Sequence, residues 1–276
     1  MLNAFTWGVS WWPFRALQDR GLHPLWATVL IYLVAVAAIT LWRRGAWGEL
    51  ARTRSLWWLV VASGTTNACF NWAVTVGDVV RVVLLFYLMP LWAALLARLL
   101  LGEALSARAT LRVALGLAGA AIVLWPPGGG LPVPRTLPEW LSVLGGFTFA
   151  LNNVVLRREA AQPEAARALA MFLGGAGVAA VLATVLASQG QVPPLPAPAL
   201  AWMVGGLLLA GVFLAGNMAL QYGAARLPAN VTAVVMVSEV LFASGSAVLL
   251  GAGTVTPQWL LGGLLIVSAS LLAARD

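Results

Sequence analysis

The sequence contains no lysine; all sixteen of its basic residues are arginine. It has only nine acidic residues, one histidine and one cysteine in 276 positions. Charged residues make up 9% of the chain against 61% hydrophobic ones. So little charge excludes a soluble domain of this length, and a mean hydropathy of +0.91 places the chain among polytopic membrane proteins. The lone Cys69 excludes an internal disulfide and implies no redox compartment. No run of like charge is present, so the net charge of +7 reads as membrane topology and not as a nucleic-acid surface. The N-terminus has no charged region followed by a small-residue cleavage site. It reads as a retained first helix, not a removable signal peptide.

What is present is a series of apolar runs. A helix needs about 20 apolar residues to span a bilayer. Punctuation by Arg, Pro and Gly then gives ten spans: 2–18, 24–42, 56–76, 80–101, 109–126, 138–156, 166–187, 199–222, 228–250 and 257–274. The predicted fold class is all-α, a polytopic bundle of ten transmembrane helices. Among the linkers, "PPGGGLPVPRTLP" (126–138) divides the chain near its middle. With the N-terminus inside, twelve arginines fall on the cytoplasmic side and four (Arg15, Arg20, Arg81, Arg135) on the other. That bias predicts a multi-pass membrane protein with both termini cytoplasmic. Trp42, Trp57, Trp58, Trp125, Trp140, Trp202 and Trp259 fall at span ends, as an interfacial belt does. Trp7, Trp11, Trp72 and Trp92 lie deeper.

The two halves echo each other. "NACFNWA" (67–73) is matched by "NMALQYG" (217–223), so that Asn67 and Asn71 correspond to Asn217 and Gln221. "FTWGVSW" (5–11) is matched by "FTFALNN" (147–153). "FYLMPLWAALLARLLLGEAL" (86–105) is matched by "VMVSEVLFASGSAVLLGAGT" (235–254). Five helices in each half invert the second, giving repeats of opposite topology, 1–127 and 138–276. Inverted repeats mark secondary transporters, whose substrate site lies near the midplane between the halves.

With "LMPLWAALLARLLLGEAL" (88–105) and its Gly102-Glu103 turn, "GLAGAAIVLW" (116–125), "SEVLFASGSAVLLG" (238–251) and "GGLLIVSAS" (262–270), the chain resembles the drug/metabolite transporter superfamily, specifically its EamA-type ten-helix members. The second half departs from the pattern at Glu239-Val240, where the family often has Glu-Pro, and at Gly251-Ala252. The tryptophan-rich first helix and central aromatics resemble the YddG-type aromatic amino-acid exporter branch. The resemblance implies a cavity lined by spans 1, 3, 4, 6, 8 and 9. Spans 5 and 10 would pack behind it through Gly116, Gly119, Gly262 and Gly263.

The candidate site residues follow. Asn67 and Asn71, and likewise Asn217 and Gln221, share a helix face at i and i+4. Their amides donate to a carboxylate and accept from an ammonium, which suits a zwitterion; the alternative is hydrogen bonding between helices. Glu239 is the one acid at the centre of a span, a functional hypothesis by default: it could couple protons, bind an ammonium or serve the structure. Trp7, Ser10 and Trp11 form one face of the first helix, with Asn152 and Asn153 at the equivalent place in the sixth. Tyr87 neighbours Pro90, which breaks a helix hydrogen bond. His23 and Cys69 read as an interfacial ring and a small buried group.

These features predict a carrier exporting amino acids, aromatic ones first, by alternating access. A carrier of cationic drugs or metabolites is the alternative, since Glu239 and aromatics suit a cation. A membrane scaffold or channel is the reading of another class. An enzyme is disfavoured: no HExxH, no paired intramembrane acids and no Ser/His/Asp set occur. No metal or other cofactor is expected, and no GxxxxGK[ST] for ATP appears. The expected partners are a small-molecule substrate and the lipid bilayer, with no nucleic acid and a monomer or weak homodimer as the assembly.

Overall fold

Two prolines shape the first half of the protein. A computed structural model describes residues 1–102, 107–125, 131, 133–224 and 229–273. In it α1 (Leu2–Val9) ends at the residue whose carbonyl would have bonded the N–H that Pro13 lacks, and α2 (Trp11–Gln18) follows. The expected span 2–18 is therefore two helices. Pro90 repeats the pattern further along: α6 (Val79–Phe86) ends four residues before it and α7 (Met89–Leu101) resumes after Tyr87 and Leu88.

The remaining helices are α3 (Pro24–Trp42), α4 (Ala46–Arg52), α5 (Leu56–Val76), α8 (Ala107–Leu124), α9 (Leu137–Arg158), α10 (Glu164–Ser188), α11 (Leu200–Ala224), α12 (Ala229–Leu249) and α13 (Pro257–Ala273). No strand occurs among the described residues. α4 lies in a stretch expected to be linker. It is helical because Ala46 and Leu50 bury together with Leu56, Leu59, Ala166 and Leu169.

Among the described residues, three stretches are long and apolar enough to cross a membrane by length and composition: Pro24–Trp42, Val79–Leu100 and Glu164–Ser188. Large apolar side chains stand far out of the fold. Leu99 is 77% exposed, Leu200 79%, Leu241 74% and Leu249 86%. In water such a surface would aggregate; in a bilayer it is the solvated face. Among the tryptophans expected at span ends, Trp42, Trp57, Trp58, Trp125 and Trp140 are exposed. Trp202 instead is buried and donates its indole N–H to the Ala197 carbonyl at 3.2 Å.

Glycines bring backbones together where helices cross. Gly64 of α5 and Gly174 of α10 leave no room for a Cβ, since the first would overlap the Gly174 carbonyl and the second the Val60 carbonyl. α8 likewise meets α13 closely, where a Cβ on Gly119 would lie 2.6 Å from the Gly262 carbonyl and one on Gly262 2.8 Å from that of Gly119. Small residues permit such approach in lipid, where packing and hydrogen bonds replace the hydrophobic drive between helices.

Candidate functional site

The break between α6 and α7 places Tyr87 at the centre of the bundle. Tyr87 is 1% exposed and donates its phenolic O–H to the Glu239 carboxylate of α12 at 3.2 Å. Glu239 is 7% exposed. α1 lies directly against this part of α12: a Cβ on Gly8 would come within 2.7 Å of the Phe242 side chain and 2.9 Å of the Glu239 carbonyl. A side chain larger than hydrogen at residue 8 would push the two helices apart beside the acid.

Aromatic rings gather next to this pair. Phe86 contacts Tyr87 with centroids 6.3 Å apart, Phe70 at 4.7 Å and Phe149 at 5.5 Å. Trp7 stands edge-on to Phe213 at 4.6 Å and reaches Phe70 at 5.9 Å. Trp11, 2% exposed, donates its indole N–H to the Ser246 hydroxyl at 3.0 Å and so ties α2 to α12. The carboxylate and the rings come from α1, α2, α5, α6, α9, α11 and α12, together with the α6–α7 turn. An acid held by Tyr87, with a cluster of rings reaching away from that tyrosine, fits a ligand with a cationic head and a flat or apolar body.

The other sequence-derived residues distribute as follows. Asn67 accepts from the Tyr32 hydroxyl and donates to the Ser63 carbonyl at 2.7 Å. Asn71 donates to the Thr28 hydroxyl at 3.0 Å. Both amides therefore fasten α5 to α3. The buried Oδ1 atoms of Asn71 and Asn152 have no hydrogen-bond partner among the described residues. Asn153 is exposed. The Ser10 hydroxyl is buried and donates to the Trp7 carbonyl at 2.8 Å, capping the α1 break. The side chains of Asn217, Gln221 and Tyr222 lie outside the described residues, as does Glu103. Cys69 is buried, with a free thiol. His23 accepts the Leu25 N–H on Nδ1 at 3.3 Å, capping α3 with Pro24 at its first position, and packs edge-on to Trp72.

Sequence reasoning missed Phe70, Phe86, Phe149 and Phe213. Phe70 and Phe149 sit inside the quoted motifs, beside the amides. About 100° separates successive residues of an α-helix, so Phe70 faces the centre while Asn71 faces α3.

A second charged group lies at the ends of these helices. Arg15 of α2 donates to the carbonyls of Thr75 (2.9 Å), Val74 (3.3 Å) and Gly77 (2.5 Å), closing the C-terminal end of α5. Asp78 caps α6 by accepting the Arg81 N–H at 3.1 Å and accepts the Thr254 N–H at 3.4 Å. Arg81 pairs with Glu139 at 2.9 Å. Glu139 also closes the capping box of α9 with Thr136.

Comparison with known proteins gives two findings. Residues 1–125 match the EamA-like transporter family, of the drug/metabolite transporter superfamily. This region is thus similar to a family of membrane transporters that are not enzymes in general. A solved structure, described only as the crystal structure of a protein, superposes over 100% of this chain and 98% of its own, with a TM-score of 0.60 and 18% identity. That likeness concerns the fold. No curated protein matches the sequence.

Proposed function

We propose that this protein is a ten-span secondary transporter that exports aromatic amino acids across a bacterial inner membrane by alternating access. The observation that carries the reading is the buried Glu239 carboxylate, held by Tyr87 at a helix break and neighboured by rings from α1, α5, α6, α9 and α11. Glu239 takes the substrate ammonium, and Trp7, Phe70, Phe86, Phe149 and Phe213 take its ring. The buried amide oxygen of Asn152, which has no hydrogen-bond partner among the described residues, adds acceptor capacity. The contributing helices belong to both proposed repeats, 1–127 and 138–276, so rocking one against the other exposes the centre to each side in turn. The packed state of Tyr87 and Glu239 suits an occluded stage of that cycle.

A second reading rests on the same acid. Glu239 has Tyr87 as its hydrogen-bond partner and no ion pair among the described residues, which also suits a drug cation lacking a carboxylate. Uptake into proteoliposomes, comparing radiolabelled L-phenylalanine with drug cations and with and without a pH gradient, separates the two. Saturable phenylalanine flux is the expected result; flux of cations alone overturns the amino-acid reading.

A further inference from the structure

Away from Glu239, a cavity of about 430 Å³ opens among Val76, Gly77, Asp78, Arg81, Val82, Thr136, Pro138, Glu139 and Trp259. Its walls join the α5–α6 turn of the first half to the start of α9 and to α13 of the second. By the arginine asymmetry this is the non-cytoplasmic end of the bundle. Its volume falls in the range of roughly 300–1,000 Å³ usual for small-molecule sites.

The lining combines three chemistries. Arg81 is a cation whose side chain is 28% exposed and which meets Glu139 through one terminal nitrogen. Asp78 is a half-buried anion one helical turn earlier. Trp259 presents its ring 6.0 Å from the Arg81 guanidinium carbon, and Val76, Val82 and Pro138 add apolar wall. A cation, an anion and an aromatic face in one cavity complement the carboxylate, ammonium and side chain of an α-amino acid.

The carboxylate of a ligand would meet Arg81 alongside Glu139. Glu139 occupies one terminal nitrogen of Arg81, and its Oε2 keeps the backbone N–H of Arg135 at 2.6 Å and of Thr136 at 3.3 Å, so a ligand carboxylate can share the guanidinium through its other N–H groups. Asp78 uses each carboxylate oxygen once, for the Arg81 and Thr254 N–H groups, which leaves acceptor capacity for an ammonium. The turn carrying Asp78 is fixed in advance by Arg15 through the Thr75 and Gly77 carbonyls.

We propose that this cavity is a second, outer binding site for zwitterionic amino acids with aromatic or apolar side chains, occupied after release from the central site; the proposal rests on the transport reading above. Arg81 binds the carboxylate, Asp78 the ammonium and Trp259 the side chain.

The test is equilibrium binding of radiolabelled L-phenylalanine to the purified protein in nanodiscs, with phenylalanine flux measured in parallel in proteoliposomes. Wild type is expected to bind two molecules per chain. Arg81→Gln and Trp259→Ala should each retain one, with Trp259→Ala leaving the Arg81–Glu139 pair in place as a check on folding. Phenethylamine, which lacks the carboxylate, should displace the Arg81-dependent molecule about tenfold more weakly, some 1.4 kcal/mol. One molecule per chain in wild type, unchanged by either substitution, overturns the outer site, and with phenylalanine flux intact it does so without touching the transport reading. Arg81-dependent binding without flux supports the outer site and overturns transport of this substrate. No binding at all overturns both.

Discussion

Glu239 is a buried carboxylate, and inside a span such a group is expensive unless it is partnered or used. If it receives the substrate ammonium, Glu239→Gln lowers phenylalanine exchange and gradient-driven flux together, by tenfold or more. Tyr87→Phe removes one hydrogen bond to the same group and lowers flux less, by a few-fold, on the scale of about 0.5–1.5 kcal/mol for one hydrogen bond. A purely structural Glu239 predicts wild-type flux in the Gln variant, and a coupling role predicts that only gradient-driven flux is lost. Flux measured at several symmetric pH values and then under a gradient distinguishes the three.

His23 gives a second expectation at this scale, outside the spans. Burial pushes its pKa down to about 4 from the ordinary 6.5, and its Nδ1 must stay unprotonated to accept the Leu25 N–H. The unfolded chain therefore binds the proton more readily. The cap's contribution is fully present above about pH 6.5 and is lost progressively as the pH falls towards about 4. His23→Asn keeps an acceptor at the cap without the titration. Melting curves of the detergent-solubilised protein should show wild type losing stability over that window relative to the variant; parallel curves would refute the assignment.

At the scale of elements, the crossing of α5 and α10 depends on hydrogen at Gly64 and Gly174. Gly174→Ala drives a methyl into the Val60 carbonyl and should lower stability by about 1–3 kcal/mol, the range for overpacking. Gly177→Ala in the same helix meets nothing within 4 Å and should be neutral or slightly stabilising. Equal melting temperatures for the two variants would show that the crossing is looser than described. The helix boundaries themselves were legible where punctuation is strong: 24–42 and 56–76, read from Arg, Pro and Gly, coincide with α3 and α5. The bend at Pro90 was legible from the missing N–H. The break at Ser10 has the same cause in Pro13, but the run of Trp and Phe around it reads as unbroken apolar sequence. The orientation of the amides was not legible. Helical spacing puts Asn67 and Asn71 on one face, and only packing decides whether that face meets α3 or the centre.

At the scale of the whole molecule, the proposed five spans in each half would put both termini on the same side, and the arginine distribution predicts that this side is the cytoplasm. Reporter fusions after Asp276 should be active only in a cytoplasmic format; an outside C-terminus would remove the inverted-repeat assignment. The matched motifs behind the proposed repeat lie open in the sequence, whereas the convergence of Phe70, Phe86, Phe149 and Phe213 does not. These rings come from helices far apart in the chain, and no local pattern announces which phenylalanines converge.

The most direct test is counterflow. Proteoliposomes are loaded with unlabelled L-phenylalanine and diluted into a trace of labelled L-phenylalanine. A carrier with one central site opening alternately to each side accumulates label transiently above its equilibrium level and then loses it. Simple equilibration of the label without an overshoot would identify a channel, and uptake no greater than in empty liposomes would contradict amino-acid transport altogether.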